Sequence, residues 1–196
     1  MYDCFTFYNE SDILEFRLQS IDSIVDKFIL VESNLSHTYK EKPLYWKDYF
    51  SKEKRFEPYL HKIDSYVFDG YTVQSDSPMV IENEQRRYLK TGCIESGIAE
   101  DDYVMISDVD EIYSADGIRM LLNTGLDSTR GLLMSISYYV NLFHWDSKHF
   151  GTWLGPYVTK FKHDFDNISQ FKVNDMGYDD TIVGNGLHTL TTGAIS

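Results

Sequence analysis

The segment Tyr103 to Ile112, reading Tyr-Val-Met-Ile-Ser-Asp-Val-Asp-Glu-Ile, restricts what this chain can fold into more than any other stretch. Four consecutive apolar residues, Tyr103 to Ile106, follow the acidic turn Glu100-Asp101-Asp102 and then give way to Asp108, Asp110 and Glu111. A short continuous apolar run bounded by turn residues is the pattern of a strand buried on both faces. Such strands belong to α/β sheets, where ligands bind at the carboxyl edge. If the chain stays extended through Val109, residues two apart share a side, so Asp108 and Asp110 converge while Val109 turns back into the protein. Two carboxylates held that way repel one another unless a cation lies between them. Hard oxygen donors suit Mg²⁺, Mn²⁺ or Ca²⁺. A lone Asp-x-Asp is more often an acidic solvated turn, and it is the position directly after a buried strand that favours metal.

The rest of the chain supplies the sheet around that strand. Tyr2 to Tyr8 is dense in β-formers, Asn9 is placed to cap a helix, and Ile13, Leu14, Leu18, Ile21 and Val25 recur at helical spacing before a second apolar strand at Lys27 to Val31. This β-α-β opening predicts parallel strands. Glu32 ends the second strand, where a carboxylate either accepts ribose or base hydrogen bonds or faces water. A helix over Lys47 to Leu60, interrupted by Pro58, and a third strand over Lys62 to Phe68 are expected next. Ser77-Pro78 opens a helix running toward Gly97, on which Glu82, Gln85 and Arg86 either pair internally or reach toward phosphate. Beyond Ile112 the pattern predicts a short helix capped by Ser114, then strands at Gly131 to Phe143 and Tyr157 to Lys162. Trp145 and Trp153 are placed there as candidates for stacking on sugar.

Composition narrows the function. With 196 residues, 42% of them hydrophobic, the chain suffices for one well-buried domain. A net charge of -13 argues against nucleic acid or an anionic membrane surface as partner, and means that phosphates would be handled with a divalent cation. Cys4 and Cys93 have neither zinc nor redox spacing, so two reduced thiols and a cytoplasmic location are expected. No apolar run has the length of a transmembrane segment.

Several motifs carry a family resemblance. Asp3-Cys4-Phe5-Thr6-Phe7-Tyr8-Asn9-Glu10, followed by Asp12, Leu14, Glu15 and Arg17, resembles the opening of glycosyltransferase family 17 in its bacterial or viral type. Val31-Glu32, Lys42-Pro43-Leu44-Tyr45, Glu82-x-x-Gln85-Arg86 and Ser107-Asp108-Val109-Asp110-Glu111-Ile112 extend the resemblance, which covers residues 3 to 112. It implies an α/β GT-A fold: one Rossmann-like nucleotide-sugar-binding domain over residues 1–196 with a mixed, mostly parallel central sheet. Residues 1–112 would form the donor side and residues 113–196 the acceptor side. The implied activity is an inverting transfer of a hexosyl or N-acetylglucosaminyl group from a nucleotide-sugar donor, a UDP-sugar, to a glycan or glycoconjugate acceptor, with Mn²⁺ or Mg²⁺ as cofactor.

Phe7, Asn9, Glu32, Arg86, Asp108, Val109 and Asp110 are then the expected nucleotide-sugar contacts. Asp108 and Asp110 hold the metal, joined by His188 of Gly186-Leu187-His188-Thr189, the nearest match to the family's Gly-Trp-His-Phe type motif. Position alone nominates Asp179 and Asp180 as general base, with Asp146 and Glu111 behind them. Two other classes compete: a phosphotransferase of the haloacid-dehalogenase type, which places its Asp-x-Asp earlier in the fold, and a non-catalytic module holding a sugar nucleotide or calcium.

Overall fold

The computed structural model describes residues 1–73, 78–124, 132–140, 143–145, 153–162 and 181–190, with side chains in 1–73, 80–123 and 156–162. Its first half alternates strand and helix: β1 (Tyr2–Phe7), α1 (Ser11–Ile21), β2 (Lys27–Ser33), α2 (Tyr45–Asp48), β3 (Ile63–Phe68), α3 (Pro78–Glu95) and β4 (Tyr103–Asp108). The remainder is β5 (Glu111–Tyr113), α4 (Ala115–Thr124), β6 (Leu132–Val140), β7 (Phe143–Trp145), β8 (Trp153–Lys160) and β9 (Thr181–Leu190). Among the described residues one sheet runs β3-β2-β1-β4-β8-β6-β9-β5, with β7 on β6. The ladders joining β3, β2, β1 and β4 are parallel, and β8 enters antiparallel to β4. From β1 the chain goes to β2 on one side and later to β4 on the other, so the carboxyl ends of β1 and β4 flank a topological switch point.

The apolar runs are continuous because both faces of this sheet are covered. Phe5, Phe7, Phe28, Leu30 and Met105 pack with Leu14, Leu18 and Ile21 of α1 and Ile118 and Leu121 of α4. Cys4, Ile29, Val31, Val104 and Ile106 alternate with them and pack under Ile81, Leu89 and Cys93 of α3. Gly97 closes α3 at φ 73°, and the amides of Gly97 and Ile98 return to the carbonyls of Ile94 and Cys93 at 3.0 and 3.1 Å. This is a Schellman ending, which favours glycine at the left-handed position.

Four local features differ from the sequence reading. The residue before α1 is Glu10 rather than Asn9, and its carboxylate accepts from the amides of Tyr8 and Asn9 at 3.2 and 3.0 Å. Lys47 to Leu60 does not form one α-helix; after α2 the chain proceeds through 3-10 turns at Phe50–Lys52 and Lys54–Lys62. Pro58 removes a helical donor there, and Phe56 is the only buried anchor of the second turn, too little for an amphipathic stripe. β4 ends at Asp108, and Val109–Asp110 form a turn into β5. Finally, residues 181–190, for which the sequence pattern predicted no element, form β9, a strand made by its partners: β9 runs antiparallel to β5 and parallel to β6.

Candidate active site

The turn that carries the two aspartates is built from behind by Arg17. Arg17 lies on the buried stripe of α1 with Leu14, Leu18 and Ile21 and is itself 0% exposed. Its guanidinium grips the equally buried Asp3 of β1 in bidentate fashion, Nε to Oδ2 at 2.7 Å and Nη2 to Oδ1 at 2.5 Å. Nη1 donates to the main-chain carbonyls of Asp108, Val109 and Glu111 at 3.0, 3.1 and 2.9 Å, and Nη2 to Ser107 Oγ at 2.6 Å. The planar fork thus satisfies carbonyls that a turn would otherwise leave buried and unpaired. Glu111 folds back beneath the same turn, its carboxylate accepting from the Asp108 amide at 3.0 Å. The side chain of Val109 is driven into the core on the α1 side.

On the other side of the turn is a cavity of about 480 Å³, within the usual range for small-molecule sites. Its walls come from the end of β1 (Thr6, Phe7, Tyr8, Glu10), the segment after β2 (Leu35, Ser36, His37, Lys42), α3 (Ile81, Glu82, Gln85, Arg86) and the turn (Asp108, Val109, Asp110). Register fixes this convergence, since Thr6 of β1 lies beside Asp108 of β4. Arg86 donates to Asp108 through Nε at 3.3 Å and Nη2 at 3.1 and 3.2 Å, and Nη2 is also bound to Glu82. Burial pushes the Glu10 carboxyl above its usual range, with the nearby Asp110 charge adding to the rise. Burial likewise pushes the Lys42 ammonium below its usual range, against the attraction of Glu32 and Glu10.

Of the expected nucleotide-sugar contacts, Phe7, Arg86, Asp108, Val109 and Asp110 all line this cavity. Asn9 and Glu32 are not among the lining residues. Asn9 is exposed, its amide and carbonyl engaged by Glu10 and Ser11 at the start of α1. Glu32 is 1% exposed, and its two carboxylate oxygens accept from the amides of Trp46 and Lys47 at 3.0 Å each. It caps α2, whose own N-cap residue, Leu44, has no polar side chain to do so. Glu111 is 0% exposed and committed to the turn, which corrects its placing as a reserve base on the acceptor side. Asp146, Asp179 and Asp180 lie outside the described residues, as do the side chains of Trp145, Trp153 and His188. The backbone of His188 pairs with Glu111, three residues from Asp108. Among the described residues no group of three His, Cys, Asp or Glu side chains is gathered as a metal site, and no helix is long and apolar enough to cross a membrane.

Tyr8, Glu10 and Lys42 are cavity residues that had no role assigned from the sequence, and Gln85, read as pairing internally or reaching toward phosphate, lines the cavity beside them. Arg17 and Asp3 had a signal that went unused: a charge on the apolar stripe of a helix and another inside a buried strand.

A strand order of β3-β2-β1-β4 with a cavity at the switch point, continued by antiparallel β8, defines an α/β fold of the GT-A type. Two solved structures share it: the 4-diphosphocytidyl-2C-methyl-D-erythritol synthase of Anaerococcus prevotii, with TM-score 0.51 and 11% identity over 95% of this chain and 89% of that one, and the 2-C-methyl-D-erythritol 4-phosphate cytidylyltransferase of Francisella tularensis, with TM-score 0.51 and 15% identity over 97% and 94%. The model of glycosyltransferase family 17 matches residues 1–181, and the chain belongs to that family. The match reaches well beyond residue 112 but stops short of His188. The human beta-1,4-mannosyl-glycoprotein 4-beta-N-acetylglucosaminyltransferase is 27% identical over 119 residues, 58% of this chain and 22% of that protein; the mouse protein of the same name is 26% identical over 119 residues, 58% and 21%. This chain therefore spans about a fifth of the length of these curated relatives.

Proposed function

We propose that this chain is a metal-dependent, inverting glycosyltransferase that moves a sugar from a nucleotide-sugar donor, a UDP-sugar, to a hydroxyl of a glycan or glycoconjugate. The observation that carries the reading is the joint presentation of Asp108 and Asp110 to one cavity at the switch point, on a turn held from behind by Arg17. The residues fit a divalent cation: two hard carboxylates face the cavity, and ions of the Mg²⁺ type take one or two carboxylates and complete their shell with phosphate oxygens and water. Asp108 and Asp110 would hold Mn²⁺ or Mg²⁺, which supplies Lewis-acid stabilisation of a diphosphate leaving group. Arg86 pairs with Asp108 and orients its carboxylate. Phe7 and Tyr8 offer apolar wall at the end of β1, against which a base or sugar face can lie. Inversion requires a carboxylate to take the acceptor proton from the far side of the sugar, the role assigned to Asp179 or Asp180. His188, on the strand paired with Glu111, is assigned to the metal.

The test is thermal and chemical. UDP should raise the melting temperature of the wild type in the presence of Mn²⁺ and not in EDTA, because a ligand stabilises only the state that binds it. Asp110→Asn should abolish that shift while keeping the melting temperature of the protein without ligand. An equal response from mutant and wild type would remove Asp110 from the metal site. Release of UDP from a panel of UDP-sugars would then separate a transferase from a module that binds without turnover.

A further inference from the structure

Lys42 is the one cavity cation whose donors the protein leaves unused among the described residues. Its Nζ is buried and has no hydrogen-bond partner there. Other lysines of the chain meet carboxylates, as Lys27 does at Asp64 and Lys62 at Asp22. The carboxylates whose charge acts on Lys42 are engaged elsewhere: Glu32 by the amides of Trp46 and Lys47, and Glu10 by those of Tyr8 and Asn9. What Lys42 has instead is aromatic surface, the Tyr8 ring at 4.8 Å and the Tyr45 ring at 5.8 Å. Ring faces offset part of the cost of desolvating an ammonium and occupy none of its three N–H groups in directional bonds. The position is also fixed. The Lys42 amide bonds to the Asn34 carbonyl at 3.1 Å, Leu35 bridges Glu41, and Pro43 holds the preceding residue extended.

A buried ammonium with free donors is costly unless something completes it. The cavity it lines also presents Asp108 and Asp110, the carboxylates assigned above to a cation that binds diphosphate. We propose that Lys42, held in the cleft of Tyr8 and Tyr45, is a second anchor for the diphosphate, donating directly to phosphate oxygens from the wall formed by the segment after β2. This rests on the nucleotide-sugar reading but adds a contact that does not pass through the metal. It assigns the motif Lys42-Pro43-Leu44-Tyr45 a use: the lysine binds, the proline fixes it, and the tyrosine shields it.

The test compares wild type, Lys42→Met and Lys42→Arg by calorimetric titration with UDP and with inorganic diphosphate, both in Mn²⁺. Lys42→Met should weaken both probes by roughly ten- to a hundredfold, the size of a desolvated charge-assisted hydrogen bond. Lys42→Arg, which keeps the charge, should recover part of the loss. Without ligand, Lys42→Met should melt no lower than wild type, because methionine fills the same cleft without an unpaired charge. Equal binding of inorganic diphosphate by Lys42→Met and wild type overturns the proposal while leaving the nucleotide-sugar reading intact. A large drop in the melting temperature of unliganded Lys42→Met also overturns it, since the lysine would then be structural. Wild type that binds inorganic diphosphate but not UDP sinks the nucleotide reading alone, and the behaviour of Lys42→Met with diphosphate still decides the role of Lys42. Wild type that binds neither sinks both.

Discussion

Two buried cations lie on either side of the Asp108-Val109-Asp110 turn, and they are handled in opposite ways. Behind the turn, Arg17 spends every donor on Asp3, Ser107 and three carbonyls. In front of it, the Lys42 ammonium makes no hydrogen bond among the described residues. Taking either charge out of water is expensive, and the protein meets that expense fully in one place and not in the other. The region behind the turn is chemically closed and works as scaffold. The region in front is a cavity lined by an ammonium with no hydrogen-bond partner among the described residues.

The largest effect is expected at Arg17. Arg17→Met leaves Asp3 charged and buried and frees three turn carbonyls, and should destabilise the fold by about 3–5 kcal/mol in urea denaturation. Arg17→Lys should do little better, since one ammonium cannot span acceptors on two strands. A loss below about 1 kcal/mol for Arg17→Met would mean that the turn holds itself. Glu32 gives a smaller effect. Glu32→Gln sets a side-chain amide against two main-chain amides, and should cost about 1–2 kcal/mol through the N-terminus of α2. Its pH dependence sharpens the point. Burial holds the Glu32 carboxyl above its usual range even though the amides of Lys47 and Trp46 pull it down. A raised carboxyl binds more protons folded than unfolded, so its contribution is complete below the unfolded pKa and is lost as pH rises through the folded value. The stability advantage of wild type over Glu32→Gln should therefore shrink between acid and neutral pH, as read from urea midpoints. An advantage that grows with pH would contradict the buried cap. Smallest of all is the effect of Asp110→Asn on the unliganded fold, expected within about 0.5 kcal/mol because asparagine keeps the shape of a half-buried turn residue.

The scaffold and the aspartates were largely legible in the sequence, because continuous apolar runs such as Phe28 to Val31 admit few environments other than the middle of a covered sheet. Asp108 and Asp110 were placed at a ligand edge by the same route, and they line one cavity through a geometry other than the one expected. They share the cavity through a turn rather than through a strand, because Arg17, about 90 residues away in sequence, gathers the carbonyls around it. No local pattern encodes that contact. Glu32 was misread because a strand-end carboxylate looks the same whether it meets a ribose or a helix, and only the placing of Trp46 decides. β9 was not predicted for a related reason: Gly184, Asn185 and Gly186 are poor strand formers, and the strand exists because β5 and β6 supply partners on both sides. Lys42 stood in a motif of the family resemblance but had no role there, and its use emerges only from the rings around it.

Cys4 and Cys93 face each other at 3.5 Å, one on β1 and one on α3, both 0% exposed. The wall of the cavity that bears Gln85 and Arg86 is that same helix. A thiol reagent in solution can meet either sulfur only when α3 lifts from the sheet, so the rate of labelling is a clock for the opening of that wall. The pair thus gives the molecule its own gauge of how firmly the helix is seated, with and without a ligand beneath it.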